Sequence, residues 1–356
     1  DLPMPAVCIA DMADEFREQT GVAVLSRLLL RGLEQTLSRG EQAVLLLNRR
    51  GYAGAIMCRS CKYRFRCPDC HTSMVYHAAR NELICHYCAQ RTRAPERCPN
   101  PSCRSKLIQF GAGTERIEER LARYFPKARI RRVDSDTMRH RGAYHRLVEE
   151  FEAREIDVLI GTQMVAKGLD FPFVSFVGVI GADISSSAPD FRAGERLFQL
   201  VTQVAGRAGR GDVAGEVIVQ TMSPDSPSLR AAVRHDYDTF VAEELAIRRH
   251  TRMPPFSRLT RVVLSDEKEL RARDAAKTVA EQAQKTIAES RIESADVLGP
   301  MPCLLARLRK LYRYEFLIRA DTSGTMGAVI DRLRGVGLFR AAASRIVIDV
   351  DPVSLT

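Results

Sequence analysis

Val158-Leu159-Ile160-Gly161-Thr162-Gln163-Met164-Val165-Ala166-Lys167-Gly168-Leu169-Asp170-Phe171-Pro172, followed by the apolar run Phe173 to Ile180, is the stretch that decides the fold. Residues 158–160 and 174–180 read as strands that are apolar along almost their whole length. Such strands belong to a sheet buried on both faces, which means a parallel sheet covered by helices. In that sheet, ligand-facing loops leave the carboxyl ends of strands. The loop after Ile160 offers a hydroxyl (Thr162), an amide (Gln163), a lysine (Lys167), a glycine (Gly168) and a carboxylate (Asp170). It is suited to holding a phosphate backbone and sensing a nucleotide.

Working outward, the same alternation continues. Leu25, Leu28, Leu29, Leu33 and Leu37 recur at helical spacing and end at Gly40, and a strand at 43–47 follows. Thr114 can cap a helix carrying Ile117 and Leu121, with Glu115, Glu118 and Glu119 favouring its dipole. Further strands are expected at 130–133 and 217–220, giving an α/β parallel-sheet unit. The cluster Ser223-Pro224-Asp225-Ser226-Pro227 reads as a boundary. Beyond it come a helical stretch (228–250) broken at Pro254-Pro255, and then a small α+β domain. That domain is read as strand 258–265, helix 267–289, strands near 297 and at 312–320, helix 324–334 and strand 345–350.

The bulk composition narrows the function classes. The 356 residues carry 54 Lys and Arg against 44 Asp and Glu, a net charge of +10 that leans towards a polyanionic partner. No apolar run is long enough to cross a membrane, and no secretory signal opens the sequence, so a cytoplasmic location is expected. The sequence starts at Asp1 and reads there like mid-chain sequence, so a longer parent protein is expected.

Eight of the ten cysteines fall between residues 58 and 103, as the pairs Cys58/Cys61, Cys67/Cys70, Cys85/Cys88 and Cys98/Cys103. Three pairs are Cys-x-x-Cys, a spacing that lets two thiolates of one turn bind the same tetrahedral Zn2+. Eight thiols suffice for two closed, structural four-cysteine sites. A nested arrangement joins Cys58/Cys61 to Cys98/Cys103 and Cys67/Cys70 to Cys85/Cys88; a serial arrangement takes the pairs in order. The ribbon-like spacing between Cys70 and Cys85 favours nesting and does not settle it. His71, His77 and His86 are read as surface or packing residues. Tyr63, Phe65, Tyr76 and Tyr87 are read as packing the small core in preference to stacking on bases.

The second informative run is Gln203-Val204-Ala205-Gly206-Arg207-Ala208-Gly209-Arg210, with Gln199 upstream. Arg207 and Arg210 are three apart on one helical face. A guanidinium presented this way can neutralise charge on a transferring γ-phosphoryl group.

The two runs resemble motifs V and VI of superfamily 2 helicases. Asn48-Arg49-Arg50-Gly51-Tyr52, Gly111-Ala112-Gly113-Thr114-Glu115-Arg116, Asp134-Ser135-Asp136-Thr137 and Pro189-Asp190-Phe191-Arg192-Ala193, with the cysteine insertion inside the lobe, narrow the resemblance to the PriA-type primosomal helicases. That resemblance implies that ATP with Mg2+ sits between two RecA-like lobes, of which this sequence holds the second. It implies that Arg207 and Arg210 reach the γ-phosphate, with Arg210 as the finger. By the same resemblance, Gln203 and Gly168 to Asp170 couple nucleotide state to lobe closure. Thr162, Gln163 and Lys167 would lie near the single-stranded DNA track, and Asn48 and Arg49 are assigned to the same DNA-binding set. The implied activity is 3′ to 5′ unwinding at forked DNA and restart of replication in the cytoplasm and nucleoid. The implied partners are single-strand-binding protein, other primosome proteins and the replicative helicase loader. The implied division is a linker at 1–21, lobe 2 at 22–222 with a zinc insertion at 55–109, and an α+β domain at 223–356.

Two departures qualify the resemblance. No Gly-x-x-x-x-Gly-Lys-Ser/Thr occurs, nor an Asp-Glu-x-His, so the phosphate loop and magnesium carboxylates are expected in a first lobe outside this sequence. Asp14-Glu15 is read as a solvated turn without a preceding strand. The pair Cys98-Pro-Asn-Pro-Ser-Cys103 is two residues longer than the usual knuckle, which bears on the outer zinc geometry. Against the motor reading stands a non-catalytic, zinc-stabilised scaffold for DNA and partner proteins. A zinc-dependent hydrolase is disfavoured because no open metal position is visible.

Overall fold

The computed structural model describes residues 5–18, 24–47, 56–58, 60–61, 63–68, 74–77, 80–85, 89–109, 114–133, 142–161, 173–182, 190–206, 208–209, 215–339 and 344–355. A six-stranded, wholly parallel sheet forms the first unit. Its order is β1 (Ala6–Asp11), β11 (Glu216–Thr221), β10 (Val174–Ile180), β2 (Gln42–Leu47), β9 (Val158–Gly161), β8 (Ile130–Val133). Every residue of β2, β9 and β10 is buried, in keeping with their mostly apolar sequence; the two polar residues, Gln42 and Ser175, are hydrogen-bonded. Helices α2 (Arg27–Ser38) and α3 (Thr114–Tyr124) cover one face through Leu29, Leu33, Ile117 and Leu121. Helices α4 (Ala143–Glu152) and α5 (Ala193–Ala205) cover the other through Leu147, Phe151, Leu197 and Val201.

Two expectations about the edges are corrected. Residues 1–21 were expected to be a linker, but Ala6–Asp11 is an edge strand in parallel register with β11. Asp14 and Glu15 therefore do follow a strand. They lie in the first turn of α1 (Met12–Glu18), and Glu15 is buried and paired with Arg27. At the other boundary, α6 (Pro227–Val233) and α7 (Tyr237–His250) pack on α5, with Leu229, Ala232 and Phe240 inside the lobe's core. The Pro/Ser cluster at 223–227 is the start of a helix, with Pro227 in its first turn, and not a domain boundary.

Beyond α7 lies a four-stranded antiparallel sheet of order β13 (Ala295–Leu308), β14 (Leu311–Ala320), β12 (Arg258–Asp266), β15 (Arg345–Val350). Helices α8 (Glu269–Glu289) and α9 (Ser323–Gly335) share one face of it. The element order β-α-β-β-α-β with this pairing is the split β-α-β arrangement. Met253, Leu259, Leu317 and Leu355 enclose Phe191 of the lobe. Asp190 Oδ2 accepts hydrogen bonds from Ser354 Oγ (3.0 Å) and the Leu355 amide (3.2 Å), and pairs with Arg196 (2.9 Å). The two units are thus locked at the root of α5.

The cysteine block leaves the lobe between β2 and α3. It comprises the antiparallel pair β3 (Ile56–Cys58) and β7 (Leu107–Gln109), and a small sheet of β4 (Val75–His77), β5 (Glu82–Ile84) and β6 (Arg91–Arg93).

Candidate motor site and metal centre

Helix α5 begins at the Asp190–Phe191 lock and ends beside the arginine motif. Gly206 caps it, Ala208 is buried, and Gly209 takes a left-handed φ of 71°. The Gly209 amide donates to the Val174 carbonyl at 3.0 Å. Gly215 opens the way into β11 by passing the same turn so closely that a Cβ there would sit 2.3 Å from the Ala208 carbonyl carbon. This turn demands glycine twice, once for its φ and once for close approach of backbone to backbone. The bond to Val174 ties Gly209, inside the 203–210 run, to the first residue of β10, two positions beyond Pro172 in sequence. Gln203 is exposed on the last turn of α5 and lines a groove with Phe198, Gln199, Thr202, Tyr237 and Phe240. Arg207, Arg210, Thr162, Gln163, Lys167, Gly168, Asp170, Asn48 and Arg49 lie outside the described residues, as do Cys70, Cys88, His71, His86 and Tyr87.

The sulfur atoms of Cys58, Cys61, Cys98 and Cys103 gather within 4.8 Å of one another. Cys58 Sγ lies 3.5 Å from Cys103 Sγ, and Cys61 Sγ lies 3.4 Å from Cys98 Sγ. Four thiolates at about 2.3 Å from a tetrahedral zinc stand roughly 3.8 Å apart, so the donor set and its spacing fit the ion. Burial pushes Cys98 up to about 12 and raises Cys58, whereas the Ser105 hydrogen bond draws Cys103 down to about 6. The longer Cys98–Cys103 knuckle closes by an extra turn. Cys103 and Arg104 amides donate to the Asn100 carbonyl, and Arg104 takes a φ of 47°. This quartet is the outer pair of the nested arrangement; the serial one would not bring Cys98 to Cys61.

Of the inner four, Cys67 and Cys85 are fully buried in a core with Ile56, Met74, Leu83 and Ala94. Phe65 and Tyr76 pack against that core, and Tyr63 is exposed with its ring edge-on to Phe65. His77 is half-buried on β4; burial, with Arg80 and Arg91 nearby, lowers its pKa to about 4. It is a neutral packing residue at neutral pH.

The sequence signals missed the lock. Pro189-Asp190-Phe191-Arg192-Ala193 stood out as part of the family resemblance, but nothing local says that Asp190 and Phe191 hold the last residues of the chain.

Comparison with known proteins bears on all three parts. Residues 67–93 match the family model of the PriA DNA helicase Cys-rich region domain, residues 94–212 the helicase conserved C-terminal domain, and residues 249–353 the primosomal protein N C-terminal domain. The replication restart protein PriA of Bacillus subtilis is 41% identical over 93% of this chain and 40% of its own length. Over nearly its whole length the chain is similar to the PriA family. The family's member from Synechocystis is 36% identical over 99% of this chain and 42% of its own length. The chain thus spans less than half the length of these two relatives. Its third matched region begins at residue 249, where α7 ends and the second sheet is about to start. Among solved structures, Mss116p DEAD-box helicase domain 2 bound to an RNA duplex is 13% identical with a TM-score of 0.32, over 80% of this chain and 78% of that one. No helix among the described residues is long and apolar enough to cross a membrane.

Proposed function

We propose that this chain is the second motor lobe, zinc-bound brace and C-terminal domain of an ATP-dependent DNA helicase that unwinds forked DNA 3′ to 5′ and reassembles the replication machinery. The observation that carries the reading is the Gly209–Val174 hydrogen bond, which ties a glycine inside the arginine run to the strand that follows the 158–172 run in sequence. A turn anchored this tightly is suited to presenting Arg207 and Arg210 to a phosphate held by a partner lobe, where preorganised positive charge is most effective. Gln203, exposed one turn earlier, and Gly168 to Asp170 are assigned to coupling nucleotide state to closure. Thr162, Gln163, Lys167, Asn48 and Arg49 are assigned to the DNA track. ATP with Mg2+ is the nucleotide. Forked and single-stranded DNA, single-strand-binding protein, primosome proteins and the helicase loader are the partners. The motor reading is tested by strand displacement with the complete protein. It requires ATP-dependent release of a strand from forked DNA, with tracking along a 3′ single-stranded arm; DNA binding without any ATP-driven displacement favours the scaffold instead.

The metal content proposed is two Zn2+ per chain, held by Cys58/Cys61/Cys98/Cys103 and Cys67/Cys70/Cys85/Cys88. Each ion supplies folding energy to a core too small to hold itself, and neither site has an open position for chemistry. Elemental analysis should find two zinc per polypeptide, falling to one in Cys58→Ala/Cys98→Ala; a single ion in the unaltered chain would remove the inner site.

A further inference from the structure

The strand pair β13–β14 ends in a hairpin whose charge no part of the motor reading uses. Leu308 pairs with Leu311, so the loop is the two residues Arg309 and Lys310, both at positive φ (49° and 69°). Two-residue hairpins with this backbone favour Asn-Gly, because side chains on a left-handed backbone are costly. Two long cations therefore occupy the positions least suited to them. Arg307 lies over the Tyr312 ring at 5.0 Å, and Arg313 follows on β14. None of Arg307, Arg309, Lys310 and Arg313 has an ion-pair partner among the described residues, whereas Arg252, Arg258, Arg261 and Arg319 of the same domain all do. Leu305 and Leu308, 43% and 44% exposed, flank the tip.

The base of the hairpin is held from the side by the cysteine subdomain. Arg80 pairs with Glu269, donates to the Tyr314 hydroxyl and lies over the Tyr314 ring at 5.3 Å. Arg91 donates to the Pro300 carbonyl at 2.9 Å, and Val75 packs on Leu304. We infer that the tip Arg307–Arg313 grips a nucleic-acid phosphate backbone, and that the zinc-bound subdomain aims it by bracing its base. Four cations on a narrow ribbon, none in an ion pair among the described residues, match a row of phosphates, and tip strain retained against a better turn sequence points to selection for charge over stability. The inference rests on the reading of the chain as part of a DNA motor.

The test is fluorescence anisotropy of the complete protein on labelled forked DNA across a salt series. Arg309→Asn/Lys310→Gly installs the preferred turn, so melting temperature should hold or rise. The slope of log affinity against log salt should shrink by about 1.8 if both contacts are to duplex phosphates, or about 1.4 if to single strand. Arg332→Ala/Arg334→Ala, which removes equal charge from α9, should change the slope much less. Arg80→Met should weaken binding in the unaltered protein and add little in the hairpin variant. An unchanged slope in the hairpin variant, or an equal effect from the α9 control, overturns the phosphate grip, and full additivity of Arg80→Met overturns the brace. If the unaltered protein itself shows no salt-dependent DNA binding, the motor reading fails with it; if it binds normally and the hairpin variant binds alike, only this inference fails.

Discussion

At the scale of single residues, the sequence speaks most clearly where chemistry demands a residue type. Cysteine pairs at zinc spacing pointed to a metal centre, and the outer four converge in the nested arrangement that the spacing favoured. The reading of His77 as a packing residue agrees with its half-buried place on β4. The physical cause of its low pKa is burial first and the neighbouring guanidinium groups of Arg80 and Arg91 second. The unfolded imidazole takes up its proton near pH 6.5, whereas the folded one waits until about 4. Stability from His77 is therefore complete above 6.5 and is lost as pH falls towards 4. An NMR titration of the His77 ring should show a midpoint near 4; a midpoint at 6.5 would place it in solvent. Asp190 was harder to read, because its partners Ser354 and Leu355 are more than 160 residues away and no local pattern encodes them.

Elements were legible in proportion to the length and purity of their periodicity. The strands at 130–133, 174–180 and 345–350 fall where apolar patterning put them. β1 escaped because it is a short edge strand whose pairing with β11 closes across the whole lobe. Helices α6 and α7 were legible as helices, but their allegiance was not. Proline and serine mark where a helix starts and say nothing of what it packs against. That allegiance is enforced by Arg248 on α7, which pairs with Glu195 of α5 (2.9 Å) and Glu244 (2.8 Å) and lies over the Phe191 ring at 5.3 Å. Burial raises the Glu244 carboxyl, and Arg248 opposes that rise. Arg248→Met should strand two partly buried carboxylates and cost about 3–5 kcal/mol, read as a lower denaturant midpoint. A loss within the range of ordinary surface substitutions would mean the triad is solvent-relieved and not a clamp.

For the whole molecule, the three parts meet in a closed circuit. The lobe holds the C-terminal domain through Asp190 and Phe191 at one end of α5, and the other end of α5 leads into the arginine turn. The cysteine subdomain leaves the lobe, touches it again through Arg64 and Ser223, and reaches the second sheet through Arg80 and Arg91. The alternating pattern of strands and helices foretold the parallel sheet, and the cysteines foretold the insertion. The contacts between parts were not legible, since each is made by a few side chains, polar and apolar, with ordinary local surroundings. Central to the proposed motor is that the arginines after Gly206 face a nucleotide supplied by a partner lobe. The most direct measurement is DNA-stimulated ATP turnover by Arg210→Ala in the complete protein, with DNA affinity measured alongside. The expected result is a fall of about 10³-fold in turnover with DNA affinity retained; turnover close to that of the unaltered protein would contradict it.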